Sequence, residues 1–319
     1  MIRFGIAGFG LHAAQNLAPG FRMAKKCRLT ALSRRSLDAA RASAAEHRVP
    51  LAFDSLADMC GSPEVDAIVV ATPNAFHRRD VLAAVQLGKP ILCEKPMGMN
   101  AGECREMIAT AADKHLQLGV AQAFRFEENV LAFREKSLAG SIGALHFARA
   151  EFLYPASNSA RAWIGDQQIA GGGTICDVGV HCIDTLRFVL NDEVRRVFAF
   201  AVGDHNSGGV ESSATLSLEF QRGTLATVLV SMRAPYRKSL EFVGEKERLL
   251  SIDDPSQDAV RPGFKRFLPY SRMLDAFAHA IEQGRPFSVP GEEGLRNQLV
   301  LDAAYRSLQT GCAESPEPS

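Results

Sequence analysis

The chain has 319 residues, enough for two domains with separate cores, and its 46% hydrophobic and 23% charged residues are the balance of an ordinary soluble globular protein. Its 36 basic and 36 acidic side chains cancel, so no net charge favours nucleic acid or an anionic membrane as a partner, and no apolar run approaches the length of a bilayer span. The seven cysteines form no CxxC pair and no repeating spacing, which argues against a disulfide framework or a zinc site. Reduced thiols, together with an N-terminus that enters a strand pattern with no signal peptide, predict a cytoplasmic protein.

Ile2 to Ala7 read as a strand, followed by Gly8-Phe9-Gly10-Leu11-His12-Ala13 and a helix from about Ala14. This is G-x-G-x-x-A between a strand and a helix, the context a dinucleotide fingerprint requires. Gly8 permits the tight turn, Gly10 lets the backbone approach a pyrophosphate, and Ala13 lets the helix pack close to the strand. Arg28 to Leu32 form a second strand. An NAD-selective site carries an acid at its end for the ribose 2′-hydroxyl, but here the chain reads Ser33-Arg34-Arg35. A hydroxyl and two guanidiniums suit a 2′-phosphate, because arginine makes bidentate charge-assisted bonds to it. NADP(H) is therefore the expected cofactor, with NAD(H) the alternative.

The βα alternation continues through helices at Ser36–His47 and Ser55–Cys60 and an apolar strand at Asp66–Ala71. Thr72-Pro73-Asn74 leaves the tip of that strand. A helix over Ala75–Leu87 follows, with Gly88 as its stop and His77 in its first turn, either touching a cofactor or simply polar. Lys89 to Pro96 is a short apolar run bounded by prolines and ending in Glu94-Lys95. Pro96 disfavours helical geometry at Lys95, which places that lysine at a strand tip, where open α/β sheets bind ligands. A lysine held there beside an acid, partly out of water, suits proton transfer; alone, the pair equally suits a surface salt bridge. A helix over Ala101–His115 and a strand over Gln117–Gln122 complete a six-stranded, doubly wound parallel sheet of the Rossmann type in residues 1–121.

From residue 122 to 319 the pattern becomes that of an α+β domain. A helix over Glu127–Ala139 and a strand over Ala144–Tyr154 precede a long polar loop, Pro155–Ile169, with Trp163 as a lid residue or an anchor. Gly171-Gly172-Gly173-Thr174 opens a helix to about Leu190. At about 100° per residue, Asp177, His181 and Asp184 share one sector opposite an apolar face. A solvated polar face is one reading. The glycines, which allow close approach of a ligand or backbone, favour a site. Candidate strands at Val194–Val202, Glu211–Phe220, Thr224–Met232, Ser239–Val243 and Glu247–Ile252 form an open, mostly antiparallel sheet. Alternate apolar residues such as Leu216, Leu218, Phe220, Leu225 and Val228 predict a homodimer or homotetramer through an uncovered face. Tyr270–Gln283 and Gly291–Gln309 are closing helices, and Gly311–Ser319 is expected to be a disordered tail.

Four stretches stand in a recognisable order: Gly8-Phe9-Gly10, Ala71 to His77, Cys93-Glu94-Lys95-Pro96, and Gly171 to His181 with its Asp-x-x-x-His. Over nearly its whole length the sequence resembles the glucose–fructose oxidoreductase / inositol dehydrogenase / rhizopine catabolism family of NAD(P)-dependent oxidoreductases. Within that family it is most similar to the 1,5-anhydrofructose reductase and dihydrodiol dehydrogenase types. The resemblance implies that Lys95 is the catalytic lysine and that Asp177 and His181 face the substrate. It also implies that Thr72, Pro73, Asn74, His77 and Glu94 line the cofactor, with Trp163 and Tyr270 near it, and that Arg125 and Trp163 contact substrate. The chain departs from the family at Ala121-Gln122-Ala123-Phe124, where many members have Asn ahead of the residue matching Arg125. The implied activity is hydride transfer between a nicotinamide and a carbonyl or alcohol carbon of a sugar-like or polyol substrate. Lys95 and His181 are alternative proton donors, Asp177 orients the pair or binds a hydroxyl, and no metal is required. The rival is a non-catalytic dinucleotide-sensing regulator on the same fold.

Overall fold

In this computed structural model, residues 1–156, 162–203, 209–253 and 267–316 are described. The described chain forms two compact units, each built around its own sheet.

In the first unit, β1 (Ile2–Ala7), β2 (Cys27–Ser33), β3 (Leu51–Phe53), β4 (Ala67–Val70), β5 (Ile91–Cys93) and β6 (Leu118–Val120) pair in parallel in the order β3-β2-β1-β4-β5-β6. That order is the doubly wound dinucleotide-binding topology. Residues Ala67–Val70 and Ile91–Cys93 are fully buried, as befits central strands covered on both faces. β3 is three half-buried residues, too short to show a periodicity. The helices are α1 (Ala18–Met23), α2 (Leu37–His47), α3 (Leu56–Gly61), α4 (His77–Gln86) and α5 (Ala101–Asp113). Ser36, Ser55 and Asn100 cap α2, α3 and α5 by accepting backbone N–H bonds at 3.5, 3.2 and 3.0 Å. A wide turn over Ala13–Leu17, closed by the Ala18 N–H on the Ala13 carbonyl, precedes α1.

The second unit begins at Phe124 and contains α6 (Glu128–Leu138), β7 (Leu145–Leu153), α7 (Gln167–Ala170) and α8 (Val180–Leu190). These are followed by β8 (Val194–Gly203), β9 (Glu211–Phe220), β10 (Leu225–Ser231), β11 (Arg237–Gly244) and β12 (Arg248–Asp253). The strand order is β12-β11-β7-β10-β9-β8, antiparallel throughout except for the β7–β10 pair. One sheet face is buried beneath α6, α8 and the later turns of α10 (Gly291–Thr310), through Val130, Ile183, Leu186, Val300 and Leu301. Leu216, Leu218, Phe220 and Val228 lie in that core. Only Leu225 of the five residues expected on an uncovered face is on the open side, at 55% exposure. The open side instead presents Phe200 and Val202 of β8 and Leu250 and Ile252 of β12.

α9 (Leu268–Gln283) returns to the first unit, whose extent is Met1–Ala123 with the chain around α9 as far as Leu295. The Phe277 ring lies 6.1 Å from that of Phe4, tilted by 45°, and Asp275 accepts the Lys25 and Lys26 N–H groups at 2.9 and 2.7 Å. This unit therefore takes in a segment beyond the boundary at residue 121.

Two further expectations fail. The stretch Pro155–Ile169 is not all loop: residues 162–170 form two short helical turns, with the Asp166 side chain capping α7, and residues 157–161 lie outside the described residues. The tail is ordered through Pro316, because Glu314 exchanges two 2.8 Å backbone bonds with Val197 on edge strand β8. Residues 317–319 lie outside the described residues.

Candidate active site

The first unit collects a dinucleotide-type loop and a lysine turn at the carboxyl ends of its strands. Gly8 has φ +80°, and a Cβ there would lie 2.6 Å from Thr72, so the turn after β1 must be glycine against the chain leaving β4. At Gly10 a Cβ would meet only the Gly8 carbonyl, at 4.0 Å, so the backbone is open to an approaching pyrophosphate. Phe9 donates its N–H to the Ser33 carbonyl at 2.9 Å and joins the loop to the end of β2. Arg34 and Arg35 are exposed there, and Arg34 Nη1 donates to Ser43 on α2 at 2.8 Å. These residues fit a dinucleotide.

Thr72 donates its hydroxyl to Asp80 at 2.8 Å, and Asn74 is buried in the turn that starts α4. His77 is 1% exposed. Its Nδ1 lies 2.9 Å from the Pro96 carbonyl and its Nε2 2.8 Å from the Thr72 carbonyl. Burial pushes its pKa down, against the two carbonyls, which favour the protonated ring. The imidazole thus sits between two ligand-side turns and offers almost no surface of its own.

Lys95 is half-buried, and its peptide bond to Pro96 is cis. Its N–H donates to Glu94 Oε2 at 3.3 Å. Glu94 is 6% exposed, and its Oε1 lies 2.9 Å from His12 Nε2. Asn16 Nδ2 sits 3.1 Å from His12 Nδ1, an arrangement in which Nε2 carries the proton and donates it to Glu94. Burial pushes the Glu94 carboxyl up, but His12 and Lys95 outweigh it, and the net displacement is downward. Tyr270, at the start of α9, meets His12 edge-on at 5.9 Å. His12 is the partner that reading by motif passed over, although it stands inside the G-x-G-x-x-A stretch.

In the second unit, Asp177 accepts the Tyr154 hydroxyl. His181 is 8% exposed and stacks on Phe124 at 4.2 Å with 13° between rings, and Phe152 lies 6.3 Å away. Tyr154, Phe124 and Phe152 stand far from the motif in sequence, which is why no local pattern marks them. Trp163 is half-buried in the short turn before α7.

Asp184 is not on a solvated face. It is fully buried and held by Arg125 through Nε at 2.8 Å and Nη2 at 2.6 Å, and by Asn297 at 2.8 Å. Between Asp177 and α8 the expected sector is interrupted, because Ile175–Gly179 is a wide turn closed by the Val180 N–H on the Ile175 carbonyl, whereas His181 and Asp184 stay one turn apart within α8. Regular steps do not carry across that wide turn. Arg125, expected at the substrate, has that guanidinium edge committed to Asp184 and its face on Phe188 at 4.8 Å.

Residues 2–122 match the model of the oxidoreductase family with an NAD-binding Rossmann fold, and residues 130–250 match that of the GFO/IDH/MocA C-terminal domain. The chain is 30% identical to 1,5-anhydro-D-fructose reductase of Ensifer adhaerens over 335 residues, covering 99% of each. It is 30% identical to trans-1,2-dihydrobenzene-1,2-diol dehydrogenase of Bos taurus over 321 residues, 99% of this chain and 90% of the relative. A probable dehydrogenase from Thermotoga maritima superposes with a TM-score of 0.87 at 25% identity, over 98% of both chains. With the parallel sheet, the glycine loop and the Glu94-Lys95-Pro96 turn in place, these matches show that the chain belongs to the GFO/IDH/MocA family of oxidoreductases with an NAD-binding Rossmann fold.

Proposed function

We propose that this oxidoreductase transfers hydride between a nicotinamide, preferably of NADP(H), and a carbonyl or alcohol carbon of a sugar-like or polyol substrate. The observation that carries the reading is the bond from His12 of the glycine loop to Glu94, which ties the dinucleotide loop to the turn bearing Lys95. Two relatives support the reaction class, being named a reductase of 1,5-anhydro-D-fructose and a dehydrogenase of trans-1,2-dihydrobenzene-1,2-diol.

Gly8, Phe9 and Gly10 would hold the pyrophosphate on backbone N–H groups, and Ser33, Arg34 and Arg35 the 2′-phosphate. Thr72, Pro73, Asn74, Glu94, Tyr270 and Trp163 would line the cofactor, while His77 acts from behind, packed between the Thr72 and Pro96 carbonyls and able as a neutral ring to donate to one of them. When bound, the nicotinamide supplies or accepts the hydride. Lys95 Nζ and the His181 ring are the two groups that would exchange a proton with the substrate oxygen, and Asp177, fixed by Tyr154, would orient them or bind a hydroxyl. Arg125 contributes to the fold of this region through Asp184.

The open sheet face, with Phe200, Val202 and Leu225 more than half exposed, supports assembly of two or four copies through it. Seven free cysteines support a reducing, cytoplasmic setting.

The test is single-turnover oxidation of bound NADPH by a panel of keto sugars, followed at the nicotinamide absorbance. Turnover of at least one member is expected. Tight NADPH binding with no turnover across keto sugars, and none of polyols with NADP⁺, would favour the non-catalytic dinucleotide sensor.

A further inference from the structure

Glu211, the first residue of β9, is 2% exposed, and its partners among the described residues are N–H and O–H groups rather than a cation. The Gly173 N–H donates to both carboxylate oxygens at 3.0 Å, and the Ile175 N–H donates to Oε1 at 2.9 Å. The Tyr305 hydroxyl of α10 donates to Oε1 at 2.9 Å. Tyr305 also lies 3.4 Å from Cys176 Sγ. A phenol has one proton, so with it on Glu211 the thiol, whose pKa burial and Glu211 push up to about 12, is the donor to the phenol oxygen.

A buried charge is costly unless its hydrogen bonds are complete, and here they converge on one short stretch. The glycines of that stretch are required by the same contacts. A Cβ at Gly172 would lie 1.8 Å from the Tyr305 oxygen, and one at Gly173 would lie 1.9 Å from the Glu211 carbonyl oxygen. Gly173 in turn accepts the Asp177 N–H at 2.9 Å, and Ile175 accepts the Val180 N–H that closes the wide turn before His181. Each residue whose N–H is gripped by Glu211 therefore accepts, through its own carbonyl, from Asp177 itself or from Val180, the neighbour of His181.

We propose that Glu211, assisted by Tyr305, is a positioning residue that fixes the start of this helical segment and so the placement of Asp177 and His181. This rests on the reading that Asp177 and His181 work on the substrate. In Glu211→Gln the volume is kept, but one acceptor becomes an N–H₂ facing N–H and O–H donors. On full-length folded protein, with NADPH and 1,5-anhydro-D-fructose or the fastest keto sugar of the panel, kcat/KM should fall about 10- to 100-fold, the effect of a displacement on the order of 1 Å. NADPH affinity, measured by nicotinamide fluorescence without substrate, should stay within about twofold, because the glycine loop and the arginines that would hold the pyrophosphate and the 2′-phosphate belong to the first unit.

The double variant Glu211→Gln/His181→Ala separates positioning from plain stability. If Glu211 acts through this segment, adding it to His181→Ala costs clearly less than its loss in the parent, because only the displacement of Asp177 remains to be felt, whereas independent effects multiply. Tyr305→Phe leaves the backbone bonds intact and should show a smaller loss with the same non-additivity, which keeps the test open if Glu211→Gln does not fold. A Glu211→Gln rate within about twofold of the parent, or multiplicative losses in the double variant, would overturn the proposal. Full turnover in both His181→Ala and Asp177→Ala would instead refute the reading of those two residues, whatever Glu211→Gln does.

Discussion

The Arg125–Asp184 pair should dominate the response of the second unit to single substitutions. Asp184 has no exposed surface and Arg125 has 5%; they are joined by bonds of 2.8 and 2.6 Å. Among the described residues, Arg125→Met leaves the buried Asp184 carboxylate to the Asn297 amide, and Asp184→Leu removes the carboxylate that faces the buried Arg125 guanidinium. Breaking a buried pair from one side costs roughly 3–5 kcal/mol. At about 2–4 °C per kcal/mol for domains of this size, each single variant should melt roughly 6–20 °C lower. The double variant Arg125→Met/Asp184→Leu removes both charges and keeps the volume filled. Asn297 still accepts Arg187 Nη1 at 2.6 Å but its Nδ2 loses Asp184 as acceptor, so a large part of the loss, not all of it, should be recovered. Urea titration and thermal melting on the same samples give the cycle, and KM on the folded fraction gives the functional half. Melting of Arg125→Met within about 2 °C of the parent, or simple addition of the single losses in the double variant, would refute a structural pair. A raised KM without a change in melting would return Arg125 to the substrate.

Lys95→Ala should retain NADPH affinity and lose roughly two to four orders of magnitude in turnover, with little rescue by Lys95→Arg; near-normal turnover in folded protein would end its role in proton transfer. Changing both Arg34 and Arg35 to Ala should weaken NADPH far more than NADH, and equal affinity for the two cofactors in the parent would sink the NADP(H) preference. Because the pKa of His77 is lowered on folding, its contribution to stability is complete above the unfolded value of about 6.5 and is lost as pH falls through the folded value, with a slope up to about 1.4 kcal/mol per pH unit. Urea midpoints from pH 7.5 down to pH 5 should therefore fall less steeply in His77→Gln than in the parent, and parallel slopes would contradict the assignment. Sedimentation should show an oligomer that Phe200→Glu dissociates; a parent at monomer mass across micromolar concentrations would rule out the interface.

What could be read along the chain was whatever one segment declares by itself. β1, β4 and β5 are apolar runs stopped by glycine or proline, so their tips, and with them Gly8, Thr72 and Lys95, are visible locally. β3 declares nothing in three half-buried residues. The remainder of the site is set by partners that no local window contains. His12 reaches Glu94 across 82 positions, Glu211 reaches Gly173 across 38, and Arg125 reaches Asp184 across 59. Asp184 shows why periodicity could not supply them. A helical wheel separates polar from apolar residues, but water, a ligand and a buried guanidinium are equally compatible with a polar sector. Only the burial of α8 on nearly every side, from Val180 to Leu190, distinguishes them. The same limit explains the sheet. Alternation in β9 and β10 correctly implies two faces, but Leu216 and Leu218 became core and Leu225 surface because α6, α8 and α10 cover one side, and nothing in a two-residue repeat says which. Glycines are the exception in being local marks of distant contacts. Gly172 and Gly173 record, in the absence of a side chain, the space taken by Tyr305 and by the backbone of Glu211.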